Sequence, residues 1–174
     1  MTASTHFVLG GARSGKSRHA QGLAEALSDR PVFIATAEAW DDEMRDRIAR
    51  HRADRDARWH SIDAPRALAE AIDAHSGSGA VVLVDCLTLW ASNLMLDEAD
   101  MDHATGKLVE VIRRFEGTLI LVANEVGFGI VPDNALARRF RDVAGRINQA
   151  VAAAADQVTL VVAGLPVTIK SGGA

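Results

Sequence analysis

Gly10-Gly11-Ala12-Arg13-Ser14-Gly15-Lys16-Ser17 constrains what this chain can become more than any other stretch. It follows the apolar run Phe7-Val8-Leu9 and leads into a helix-patterned segment from Ser17 to Leu27. The spacing G-x-x-x-x-G-K-S has a mechanical reason. Glycines let the backbone curl until successive N–H groups point inward at phosphate oxygens, and the helix behind adds its positive end. Lys16 then reaches the β- and γ-phosphates as a point charge, and the Ser17 hydroxyl is placed on the Mg²⁺ that accompanies a nucleotide. The bland alternative is a chance glycine-rich turn, and strand before with helix after argues against it.

A phosphate loop needs a sheet behind it, and the remaining apolar runs supply one. Val32-Ala35, Ala80-Asp85, Thr118-Ala123 and Val158-Ala163 join Phe7-Leu9 as continuous apolar strands separated by helix-period segments. That is the signature of a parallel sheet covered on both faces. A sixth run, Val167-Lys170, follows Gly164-Leu165-Pro166, too short a gap for a crossover, so it is expected to turn back antiparallel at an edge. With 174 residues, 48% of them hydrophobic, the chain is expected to form one nucleotide-binding domain over residues 1–174. Its net charge of −4 argues against nucleic acid as the main partner. The single cysteine, Cys86, rules out an intrachain disulfide and a cysteine metal cluster, which suits the cytoplasm. None of the apolar runs is long enough to insert in a membrane.

Between the second and third runs lies the most charged stretch, Asp41 to Arg58, with arginine at 45, 47, 50, 52, 55 and 58. It reads as a helix for most of its length, with Met44, Ile48 and His51 on one face. On pattern alone a solvated, salt-bridged surface helix is the simpler reading. A second helix is expected from about Pro65 to His75, a third over Leu87 to Leu96, a fourth from Asp102 to Arg114 and a long one from Asn134 to Ala155.

The third run ends in Asp85, a carboxylate delivered at the C-terminal end of an apolar strand. Taken alone it reads as a turn or helix-capping aspartate; beside a phosphate loop it reads as a Mg²⁺ ligand. The fourth run opens into Asn124-Glu125-Val126-Gly127-Phe128-Gly129-Ile130-Val131-Pro132, placed where open α/β sheets bind ligands. Glu125 there reads equally as a general base, a hydrogen-bond acceptor or a plain loop carboxylate.

Together these residues resemble one family, the bifunctional adenosylcobinamide kinase and adenosylcobinamide-phosphate guanylyltransferase. The resemblance is carried by G-G-A-R-S-G-K-S-R and by D-D-E-M-x-x-R-I-x-x-H at Asp41 to His51. It continues through N-E-V-G-x-G-I-V-P at Asn124 to Pro132, L-A-R-x-F-R-D-x-A-G-R-x-N-Q at Leu136 to Gln149, and the closing A-A-A-A-D-x-V-x-L-V-V. It implies a P-loop NTPase-like (RecA-like) three-layer fold with a mostly parallel sheet and a C-terminal antiparallel strand. It also implies two reactions: phosphoryl transfer from ATP or GTP to the hydroxyl of adenosylcobinamide, then GMP transfer from GTP to adenosylcobinamide phosphate through a guanylylated histidine.

By position in the motif that histidine is His51, which displaces the surface-helix reading of its segment; a neutral imidazole is a competent nitrogen nucleophile. The resemblance assigns nucleotide binding to Gly10 through Ser17, to Ala35, Thr36 and Ala37, to Arg52, Ala53, Asp54 and Arg55, and to Asp63 and Asp85, with Ser17 and Asp85 on the metal. Some relatives carry glutamate where this chain has Asp63 and Asp85, so the charge is kept and the reach shortened. Some also carry two adjacent histidines where this chain reads Arg50-His51. The family's trimeric assembly is implied as well. Two other readings stay open on residues alone: a small-molecule kinase with an inert His51, and a nucleotide switch with no small-molecule acceptor.

Overall fold

The computed structural model describes residues 3–39, 42, 45–46 and 56–172. Of the expected helix over Asp41 to Arg58, Asp42, Arg45 and Asp46 are helical, while His51 and Arg52 to Arg55 lie outside the described residues. Its last residues form a turn, closed by Arg58 Nη2 on Asp56 Oδ2 at 2.8 Å.

The strands are β1 (Ser4–Gly10), β2 (Val32–Ala35), β3 (His60–Asp63), β4 (Val81–Asp85), β5 (Thr118–Asn124), β6 (Gln157–Val162) and β7 (Leu165–Lys170). The helices are α1 (Lys16–Leu27), α2 (Leu68–Asp73), α3 (Leu87–Leu96), α4 (Met101–Arg114) and α5 (Ala135–Ala154). The strands lie side by side in the order β3-β2-β4-β5-β1-β6-β7. All pairings are parallel except β6 with β7, whose two-residue turn, Ala163-Gly164, leaves no room for a crossover. Pro166 is tolerated because β7 is an edge.

Sheet alternation sorts the apolar residues into two cores. Phe7, Val82, Val84, Leu119 and Leu121 face α2, α3, α4 and α5, whose Leu68, Trp90, Leu108 and Ile147 are buried against them. Val8, Leu83, Ile120, Val122 and Val161 face the other way, onto Ala20 and Ala24 of α1 and onto Trp59. The small residues of α1 let its backbone approach the sheet closely, which sets the phosphate loop directly above β1.

One strand was not legible in the sequence. In β3, Ile62 is the only apolar residue and the others are exposed, so its pairing with β2 outweighs a weak local preference. The second helix is also shorter than expected, Leu68–Asp73, because β3 and the turn after it take up the residues before it. Asn134 and Asp100 cap α5 and α4 with their side chains, fixing where those helices start. No described helix is long and apolar enough to cross a membrane.

Candidate active site

β1 ends at Gly10, and the chain must then turn sharply into α1. A Cβ on Gly10 would lie 2.3 Å from Ser14 Oγ and 2.8 Å from the Val161 carbonyl, so only glycine fits. Gly15 sits at φ 94°, in the left-handed region, with Gly164 of the β6–β7 turn packed against it. Between them Arg13 also takes a left-handed φ of 57°. The Gly164 amide donates to the Ser14 carbonyl at 2.8 Å and braces the loop from outside. Lys16, although charged, is only 8% exposed, and its Nζ donates to the Gly11 carbonyl at 3.1 Å, folding the ammonium back over the loop. Ser17 follows in the first turn of α1, part-buried. Gly11, Ala12 and Arg13 are exposed at the mouth, where loop amides and the helix end favour an anion.

Register places the other candidates along the same sheet edge. Ala35 pairs with Asp63 on one side and with Asp85 on the other, so both carboxylates stand at the C-terminal ends of strands flanking β2. Beyond Asp85, β5 intervenes at Val122, and its last residue, Asn124, is the partner of Gly10. Asp63 is exposed and Asp85 part-buried. One carboxylate and one serine hydroxyl are hard oxygen donors suited to a Mg²⁺ that keeps waters and phosphates as its other ligands. Among the described residues no group of three or more acidic, histidine or cysteine side chains could hold a metal on its own.

Thr36 is fully buried, and its hydroxyl donates to the Cys86 carbonyl at 2.7 Å while accepting the Cys86 amide at 2.9 Å. Its carbonyl accepts from Asn93 Nδ2 at 2.8 Å, which also reaches the Pro65 carbonyl at 3.0 Å. The residues after β2, β3 and β4 are thus bolted together by two side chains. Ala37 follows, part-buried. Arg66 clamps the outside of this corner through ion pairs with Glu38 and Asp97, and the pair holds the Asp97 carboxyl below its usual range. Burial, with Asp85 next in effect, pushes the Cys86 thiol up to about 11.

Glu125, left open by the sequence, braces its own loop. Its Oε1 accepts the Gly127 amide at 2.7 Å and its own amide donates to the Gly10 carbonyl at 3.0 Å. Asn93 and Arg66 brace this sheet edge and were not singled out by the sequence, whereas Asn124 opens the loop that the sequence reading placed at the ligand end. The Asn124 amide donates to Thr88 Oγ1 at 2.7 Å and its carbonyl accepts from Asn148, while its Oδ1 is buried with no partner among the described residues. A single polar residue in apolar surroundings was the only signal for Asn93; nothing local pointed to Arg66. Of the histidines without a motif, His6 bonds Ser4, and His75 bonds the Ala71 carbonyl.

The family model for cobinamide kinase / cobinamide phosphate guanyltransferase matches residues 6–169. The bifunctional adenosylcobalamin biosynthesis protein CobP of Pseudomonas aeruginosa is 47% identical over 94% of this chain and 96% of that protein. Two bifunctional adenosylcobalamin biosynthesis proteins named CobU, of Salmonella typhimurium and Escherichia coli, are 43% and 42% identical, each over 94% of this chain and 98% of the relative. Among solved structures, a type III secretion ATPase aligns over 95% of this chain and 56% of its own with a TM-score of 0.55 at 12% identity. The Pyrococcus horikoshii OT3 protein PH0250 aligns over 97% and 86% with a TM-score of 0.54 at 11% identity. These two likenesses are of fold.

Proposed function

The chain belongs to the cobinamide kinase / cobinamide phosphate guanyltransferase family, and from that premise we propose how its residues divide the two reactions of adenosylcobinamide phosphorylation and guanylyl transfer. In the first, the hydroxyl oxygen of adenosylcobinamide, giving up its proton to solvent, attacks the γ-phosphorus of ATP or GTP. The bond to the β,γ-bridging oxygen breaks, and the nucleoside diphosphate leaves with that electron pair. Loop amides from Gly10 to Ser17 and the Lys16 ammonium stabilise the charge on the transferred group. Ser17 and Asp85 would hold Mg²⁺, which when bound neutralises phosphate charge and polarises the transferred phosphoryl group.

In the second reaction the His51 imidazole attacks the α-phosphorus of GTP, pyrophosphate leaves, and GMP is held as a phosphoramidate. A phosphate oxygen of adenosylcobinamide phosphate then attacks that phosphorus and the imidazole leaves, giving adenosylcobinamide-GDP. Arg52 and Arg55 neutralise phosphate oxygens, with Ala53 and Asp54 in the same nucleotide-contacting stretch. Ala35, Thr36, Ala37 and Asp63 line the nucleotide's side of the sheet edge. We further propose a single catalytic domain in the cytoplasm, assembled as a trimer.

The observation that carries this reading is the line of chain ends Asp63, Ala35, Asp85, Asn124 and Gly10 along one sheet edge, with the Lys16 ammonium bent over the loop beside them. The test uses GTP labelled at the α-phosphate, with no acceptor present. Acid-labile, base-stable label on the protein, lost in His51→Ala while phosphorylation of adenosylcobinamide persists, is the expected result. Label retained in His51→Ala would remove the histidine from the scheme.

A further inference from the structure

Large apolar side chains left in solvent gather in two places among the described residues, Leu96 apart. One is the corner between β5 and α5, with Phe128, Ile130, Val131 and Leu136; the other is the β6–β7 hairpin. The hairpin stripe starts beside the phosphate loop, with Val162 and Leu165, and leads away from it. β7 runs from the turn beside Ser14 down to Lys170, opposite Val158 near the start of β6.

The corner is placed differently. Its loop leaves β5 at Asn124, the register partner of Gly10, and is tied to the Gly10 carbonyl by the Glu125 amide. It is also a held loop. Arg138 Nη1 donates to the carbonyls of Pro132 and Asp133 at 2.9 and 2.8 Å, and Asn134 Oδ1 accepts the Ala137 amide at 2.7 Å. A loop fixed at both ends nevertheless displays Phe128 at 84% and Ile130 at 97% exposure. Single exposed apolar residues are ordinary, but a cluster beside a ligand site marks a binding surface. The stretch Val126 to Pro132 carries no charge.

We infer that this lip seats the corrinoid: the macrocycle lies against Phe128, Ile130 and Val131 while its hydroxyl-bearing arm reaches the phosphate loop. The inference rests on adenosylcobinamide being the acceptor, as proposed above. The arm spans only on the order of 10 Å when extended, by ordinary bond lengths. The ring must therefore sit at the rim of the phosphate loop, where two exposed apolar surfaces stand one strand from Gly10: the β6–β7 turn, with Val162 and Leu165, and this lip, which gathers Phe128, Ile130 and Val131 on one held loop. A macrocycle whose edge carries methyl groups and uncharged amide arms is the matching chemistry for an apolar, uncharged lip.

The test compares wild type with Phe128→Ser/Ile130→Ser in the ATP-dependent kinase step, with Ile130→Ser alone as the second variant should the double one fail to fold. The expected result is a KM for adenosylcobinamide raised at least about tenfold, because two apolar side chains no longer cover the ring, with the KM for ATP within about twofold. Equilibrium dialysis of cobinamide, read by its visible absorbance, should weaken in parallel while the particle mass by light scattering stays at the wild-type value. Unchanged corrinoid KM and dialysis overturn the inference. So does a changed mass with unchanged KM, which would assign the lip to a contact between subunits. A wild type that leaves cobinamide unphosphorylated would sink the proposed activity instead, and the dialysis comparison would still decide the lip.

Discussion

The Thr36 hydroxyl donates to the carbonyl of Cys86 and accepts the amide of the same residue, at 2.7 and 2.9 Å. One side chain from the end of β2 thereby satisfies both backbone groups of the residue that follows Asp85, and it does so in full burial. Among the described residues, the carboxylate at the end of β4 is positioned by its neighbour's bonds. With its hydroxyl committed inward, Thr36 can serve the proposed nucleotide site only through its position and backbone.

Replacing Thr36 with valine keeps the shape, strands the buried amide of Cys86 and leaves its carbonyl with the Trp90 amide alone, at 3.2 Å. The expected cost is about 1–3 kcal/mol, read as a lower urea midpoint at unchanged slope, because the stranded amide loses its full desolvation offset. Thr36→Ser should recover most of it. A Thr36→Val protein as stable as wild type would show that the brace contributes nothing.

Lys16→Ala separates chemistry from stability. Phosphoryl transfer should fall by about 100-fold or more in kcat, since the point charge on the transferring group is gone. The fold should change by no more than about 1 kcal/mol, because a buried ammonium loses water on folding and regains only part of that in its bonds. Chemical denaturation beside single-turnover kinetics checks both halves.

Cys86 gives the molecule an alkaline limb. Its thiol ordinarily titrates near 9.0, and in the fold burial pushes it up to about 11. Below pH 9 the proton is held in both states and the contribution to stability is fully present. As pH rises from about 9 to about 11 the unfolded chain sheds the proton first, and up to about 3 kcal/mol is lost across that window. Urea midpoints measured from pH 8 to 11 should fall, and fall less in Cys86→Ala. At pH 8 a thiol reagent should label the native protein only as fast as it opens.

Two asparagines offer a matched pair. Asn93, 3% exposed, serves two carbonyls, those of Thr36 and Pro65, whereas Asn124 carries a buried Oδ1 with no partner among the described residues. Asn93→Ala is expected to cost about 2–4 kcal/mol, and Asn124→Ala less than about 1 kcal/mol. Thermal unfolding of the two variants side by side decides it. Equal losses would mean that bond satisfaction is not what distinguishes them.

What local sequence determined was the phosphate loop, five of the parallel strands and the antiparallel return at the C-terminal end. Each rests on neighbours along the chain: a glycine that must turn, an apolar run that must be buried on both faces, a gap too short for a crossover. What only the tertiary structure decided was whatever depends on register between distant strands. The strand His60–Asp63 forms because β2 offers it a ladder, Asp63 and Asp85 become neighbours of Ala35 only through pairing, and Thr36 finds Cys86 fifty positions on. Glu125 could be a base or a brace until folding set the Gly127 amide against its carboxylate. A residue's type fixes which bonds it can make; the packing of the sheet fixes which partners are there to make them with.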